Sequence, residues 1–164
     1  MQTSEEVAVE DTISSHKSRI GHLATLIKHL PPGDVADLRR SADVEMPGPS
    51  FWKIFITLPD YDQKQRVEEW QTILVALTYM KDLHTPAVSL GNALFLAGYS
   101  EARLTKLLNA KDKTLRSEIT TVARFLGSKG QLADLNQLAN LILITGDGNQ
   151  KVRRSIAKDF YFNQ

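Results

Sequence analysis

The chain has 164 residues, 42% of them hydrophobic and 24% charged, with a formal net charge of +1 and no cysteine. That length and balance predict one folded domain, or two small lobes packed together, with a core of useful size. They exclude disulfides, thiolate catalysis and cysteine-ligated zinc, and no apolar run approaches the roughly 20 residues that cross a bilayer.

Residues 1–14 are acidic and lack the basic and apolar regions of a signal peptide, so they read as a flexible stretch ahead of a domain over 15–164 in a cytoplasmic protein with no membrane contact. From Ser15 to Leu30, apolar residues Ile20, Leu23, Leu26, Ile27 and Leu30 recur at the three-and-four spacing of an amphipathic helix. Pro31-Pro32-Gly33 stops it. Asp34 is placed to cap a short helix ending near Arg40, and after Pro47-Gly48-Pro49, Ser50 is placed to cap one carrying Phe51, Trp52, Ile54, Phe55 and Leu58. The longest helix is predicted from about Asp62 to Lys81, with Val67, Trp70, Ile73, Leu74, Leu77 and Met80 on one face. A division between lobes falls near 82–88, around His84-Thr85-Pro86.

Beyond it, Ser89 opens a helix to about Ala97, Gly98 ends it and Ser100 caps the next, a compact helix-turn-helix-like pair. Leu115, Ile119, Val122, Ala123 and Leu126 mark a helix from about Lys113, closed by Gly127-Ser128-Lys129-Gly130. Two more follow, from Leu132 to Thr145 and from Gln150 to about Phe162. With no convincing strand pattern, the fold reads as all-α, a helical bundle of about eight or nine helices.

Chemistry-bearing residues form no catalytic pattern. His16, His22, His29 and His84 lie near no second ligand type at a metal spacing, and His22 and His29 sit two turns apart, so neither metal nor cofactor is expected. Gly146-x-Gly148 lacks the further glycine, the lysine and the strand of a phosphate loop, and no Gly-x-Ser-x-Gly occurs. Glu68 and Glu69, like Asp60 and Asp62, read as solvated faces and turns. The chain therefore reads as a non-enzyme without a small-molecule substrate.

Basic residues are what remains. Residues 1–100 carry a net charge of −4 and residues 101–164 one of +5, which makes the C-terminal part the candidate face for a polyanion. A pI near 8.0 lies below the value above about 9 typical of a stand-alone nucleic-acid-binding domain, and suits a subunit adding a few contacts to a larger assembly. Arg103 and Lys106 lie one turn apart on a helix whose apolar face is Leu104, Leu107 and Leu108, so both should point to solvent. Lys111, Lys113 and Arg116 continue the basic character, with Arg124 further along the same side. Lys151, Arg153 and Arg154 fall in the first turn of the last helix, where a cation opposes the macrodipole and amides could join side chains in holding phosphate. Arg39 and Arg40 end the second helix, either offsetting its dipole or presenting planar forks to phosphate, and Arg66 completes the set. Phe51, Trp52, Phe55 and Trp70 are spaced among aliphatic residues and read as core packing, which leaves backbone contact without base readout.

Two segments stand out in order: Gly33-Asp34-Val35-Ala36-Asp37-Leu38-Arg39-Arg40 followed by Pro49-Ser50-Phe51-Trp52, and Ser89-Leu90-Gly91-Asn92-Ala93-Leu94 running on through Ser100-Glu101-Ala102-Arg103 to Ala110. Together they resemble the small subunit of the type I-E CRISPR Cascade complex, the CasB family, from about Leu23 to about Phe162. The resemblance implies a non-catalytic member of a crRNA-guided surveillance complex. Its partners would be the other Cascade subunits, a second copy of itself, the crRNA–target DNA complex and the displaced single-stranded DNA of an R-loop. It also puts the Arg39–Arg40 pair on a nucleic-acid-facing surface, with Arg40 foremost. R-loop formation is a near-balanced exchange of duplexes, so a few sequence-independent phosphate contacts can tip it while guide pairing supplies specificity. Asn92, and Thr120 and Thr121 ahead of Arg124, stand where the family can be more basic. Two rivals stay open: a purely structural subunit whose cations meet acidic protein partners, and a small regulator using residues 89–110 as a helix-turn-helix on duplex DNA.

Overall fold

Prolines cannot donate into a helix, and the first break falls at Pro31, between α1 (Ser4–Lys28) and α2 (Pro32–Arg40). The computed structural model describes residues 3–59 and 66–162, with the backbone alone over 8–18. After α2 come a 3-10 turn (Ser41–Asp43), α3 (Pro49–Phe55), α4 (Val67–Tyr79), α5 (Leu90–Leu96), α6 (Glu101–Asn109), α7 (Asp112–Lys129), α8 (Leu135–Leu143) and α9 (Gly146–Phe162). Among the described residues the only strand-like pairing is an isolated parallel bridge between His84 and Ala133, so the fold is all-α as expected.

Helix boundaries depart from the sequence expectation where a different cap wins. Helix α1 begins well before Ser15 because Thr3 and Glu6 form a capping box: the Glu6 amide donates to Thr3 Oγ1 at 3.2 Å and the Thr3 amide to Glu6 Oε2 at 2.9 Å. It is also the longest helix described, at 25 residues, whereas α4 has 13; Asp60 and Asp62 lie outside the described residues. Neither Asp34 nor Ser50 caps a helix. Proline already supplies the first turn of α2 and α3, after Pro31 and Gly48, and Ser50 Oγ instead donates to Asp34 Oδ1 at 2.9 Å, tying the two helices together. Ser89 and Ser100 do cap α5 and α6, accepting from the Asn92 and Arg103 amides.

One hydrophobic cluster runs from Ile20 to Phe160, with Trp70, Phe51, Leu74 and Leu94 fully enclosed. Helix α4 is buried nearly all round and packs on α7, α1 and α2. Trp52 is only half-buried: its ring meets Phe51 and Phe55 edge-on, and Nε1 donates to the Pro47 carbonyl at 3.0 Å. Two glycines permit close helix crossings. A Cβ at Gly91 would overlap the Ile156 carbonyl where α5 crosses α9, and a Cβ at Gly127 would overlap the Tyr79 carbonyl where α7 meets the end of α4.

Candidate nucleic-acid interface

The approach at Gly127 brings Arg124, one turn earlier on α7, to Tyr79. The Arg124 guanidinium carbon lies 5.2 Å from the Tyr79 ring centroid, and its Nη2 is 3.4 Å from the Tyr79 hydroxyl. From the end of α2, Arg39 reaches the same ring at 4.5 Å. Its Nε donates to Thr78 Oγ1 at 3.2 Å and its Nη2 to the Thr78 carbonyl at 2.9 Å, near the C-terminus of α4 where carbonyls lack helical partners. Two guanidiniums thus share one ring, their carbons 4.5 and 5.2 Å from its centroid, so no more than about a Debye length separates them. The negative face of the ring offsets part of the cost of holding cations so close.

Next to this pair, Arg40 points outward with its side chain 72% exposed, 3.9 Å from Asp37. The Ser50 amide donates to Asp37 Oδ2 at 3.0 Å and is the main cause holding the Asp37 carboxyl below the usual carboxylate range; Arg40 and Lys53 act in the same direction. A second ring repeats the pattern. Phe125, next to Arg124 in sequence, has Lys129 at 5.7 Å and Arg103 at 6.0 Å, and Arg103 also lies 5.9 Å from Tyr99. Arg39, Arg103, Arg124 and Lys129 form no ion pair among the described residues. Sequence reasoning missed Lys129 and Tyr79; the first stood one helical turn from Phe125 and was legible as a pair, while the second had no local signal.

The other basic candidates are engaged differently. Lys106 does not reach free into solvent: its Nζ is 2.9 Å from Oε1 of Glu118, a carboxylate only 9% exposed. Arg66 donates to the Leu143 carbonyl at the end of α8. Arg153 donates through Nε to Asn149 and through Nη1 to the Leu108 carbonyl at 2.8 Å, and burial pulls its pKa down. Arg116 pairs with Glu68 at 3.2 Å, and Lys151 stands 4.0 Å from Glu6. Lys111, Lys113, Arg116 and Arg153 line a groove of about 410 Å³ together with Glu68, Glu69 and Asp112, over an apolar floor that includes Leu115, Leu141 and Ile144. Because α9 starts at Gly146, with Asp147 in its first turn, Lys151, Arg153 and Arg154 sit beyond the orphan amides. The expected dipole conflict and the shared amide–side-chain cradle are therefore absent. Arg154 is exposed and without an ion pair among the described residues.

No three His, Asp or Glu side chains converge among the described residues. His84 accepts from the Leu135 amide at 3.1 Å through Nδ1, at the first turn of α8, and burial lowers its pKa.

Residues 34–161 match the family model of CRISPR-associated protein Cse2. The chain belongs to the Cse2, or CasB, family. It is a small subunit of the CRISPR Cascade type, and other Cascade subunits are its partners. The fold is similar to that of the crystal structure of CasB from Thermobifida fusca, with a TM-score of 0.63 and 17% identity over 91% of this chain and 97% of that one. Among curated protein sequences none matches. No described helix of this Cse2-family chain is long and apolar enough to cross a membrane.

Proposed function

We propose that this Cse2-family subunit is non-catalytic and holds nucleic-acid backbone without reading sequence, helping Cascade to retain the displaced, non-target strand of an R-loop. The observation that carries this reading is the set Arg39, Arg103, Arg124 and Lys129, cations that meet rings, hydroxyls or a carbonyl and form no ion pair among the described residues, with the exposed Arg40 beside them, 3.9 Å from Asp37. Where no carboxylate stands beside a cation, the local field stays positive, and that field draws phosphate and releases its counterions. The aromatic rings beneath them are occupied, and Trp52 is fixed by Pro47, so stacking on bases is not their role. Weak backbone contacts are adequate because guide pairing supplies specificity and strand exchange is nearly balanced. A second copy of the chain and the crRNA–target duplex are the further partners this reading includes.

Neutralising Arg40, Arg103 and Arg124 together tests it. The complex is expected to assemble on its crRNA with target DNA retained less well, the salt slope falling by about 0.7 for each lost single-strand phosphate contact, equally for every target sequence. A subunit that fails to join the complex assigns these arginines to protein contacts. One that joins with DNA affinity and slope unchanged ends the nucleic-acid reading.

A further inference from the structure

We infer that Tyr79 is a positioning residue, whose ring holds Arg39 and Arg124 as two forks of a single phosphodiester site. The inference rests on the nucleic-acid reading above and names the ligand of that patch: one phosphate of a single strand, taken without regard to base.

Arginine side chains are long and rotamer-rich, so two of them converge on one anion at small entropic cost only if something holds them in advance. Here the holders are visible. Arg39 is anchored by Thr78 through Nε and Nη2, which leaves Nη1 free. Arg124 touches Tyr79 Oη through Nη2, which leaves Nε and Nη1 free. Both forks therefore keep donors for a phosphate oxygen, in the planar geometry that suits one. The two come from α2 and α7, and their meeting place is the last residue of α4. Close approach of α7 to that residue depends on Gly127 having no side chain, since a Cβ there would overlap the Tyr79 carbonyl. Two like charges on one ring repel each other, and an anion between them relieves the repulsion. A base has less reason to come, because cations already sit on the ring.

The test uses the full chain, with fluorescence anisotropy of labelled oligothymidine and of a mixed-sequence oligonucleotide across a salt series. Arg39→Gln with Arg124→Gln is expected to lower the slope of log affinity against log salt by about 0.7, the value for one phosphate, and either change alone should give most of that loss. Tyr79→Phe keeps the ring and should keep the slope. Tyr79→Leu keeps every charge yet should lose as much as the double variant. Arg124→Lys, at an exposed position with its charge preserved, should lose at least half as much, and it decides the matter if Tyr79→Leu does not fold. A merely structural Tyr79 would lower the melting temperature and leave the slope alone. Wild-type slopes for Tyr79→Leu and Arg124→Lys, beside a reduced slope for the double arginine variant, overturn the inference and spare the broader reading. An unchanged slope in the double variant, with a reduced one for Arg40→Gln plus Arg103→Gln, does the same. No effect from any of these substitutions, or no binding at low salt, overturns both.

Discussion

The two ends of α4 lie beside two basic regions built from the same residue types. At its C-terminus Tyr79 gathers Arg39 and Arg124; at its N-terminus Glu68 and Glu69 line the groove with Lys111, Lys113, Arg116 and Arg153. At about 1.5 Å of rise per residue, Glu68 and Tyr79 are roughly 16 Å apart along the helix. In the groove, cations are interleaved with the carboxylates of Glu68, Glu69 and Asp112, and Arg116 is paired with Glu68. Around Tyr79 they rest on a ring and on helix-end carbonyls, which are neutral. Partner chemistry therefore decides whether a lysine or arginine adds to the outward field, and a count along the sequence does not. The +5 of residues 101–164 pointed at both regions alike, and the −4 of residues 1–100 hid Arg39 and Arg40.

Because α4 underlies both regions, the largest expected effect removes the contrast altogether. Trp70 is fully buried on α4, and Trp70→Ala should cost about 3–5 kcal/mol and loosen both ends together. Trp52→Ala should cost clearly less, since that ring is half-exposed. Chemical denaturation of the two variants measures the difference; equal losses would mean that α3 packs more tightly than its exposure indicates.

A middle-sized effect sharpens the contrast within a single helix. Arg103 and Lys106 are neighbours on α6, and both read as solvent-facing. Lys106, however, pairs with the nearly buried Glu118, while Arg103 lies over Tyr99 and Phe125. Lys106→Met leaves that carboxylate buried without its cation and should cost about 1–3 kcal/mol. Arg103→Met should change stability by no more than about 0.5 kcal/mol, yet should weaken oligonucleotide binding. Thermal melts and salt titrations on the pair check both halves, and a reversed order would place Lys106, not Arg103, at the interface.

What was legible in the sequence was local. The three-and-four spacing found the inner faces of α4 and α7, and the serines ahead of Leu90 and Glu101 marked real caps because a cap is satisfied within three residues. What could not be read depends on distant partners. Arg66 ends on Leu143, Arg153 on Leu108 and Arg124 on Tyr79, each far along the chain, and periodicity holds no information on such meetings. The Arg-Arg pair illustrates the limit. Its place at the end of a short helix was legible in the sequence, but that Arg39 is anchored and Arg40 is outward follows only from where Thr78 and Asp37 stand.

The smallest effect concerns that last distinction. Among the described residues Asp37 is the one carboxylate within ion-pair range of the outward Arg40, and the Ser50 amide keeps its pKa below the ordinary 3.8. A carboxyl whose pKa is lower folded than unfolded stabilises the fold above the unfolded value, and that stabilisation disappears as pH falls through the depressed folded value. Asp37→Asn should therefore remove a small acid-side loss of stability below about pH 4, while costing under about 1 kcal/mol at neutral pH, because the ion pair is exposed and asparagine can still accept from Ser50. Its effect on binding should have the opposite sign: with the neighbouring negative charge gone, Arg40 meets phosphate unopposed, and oligonucleotide affinity should rise modestly at low salt and converge with wild type as salt screens the difference. A variant that binds more weakly than wild type at low salt would mean that Asp37 orients Arg40 more than it neutralises it, and Arg40 would then belong with the anchored arginines rather than with the outward ones.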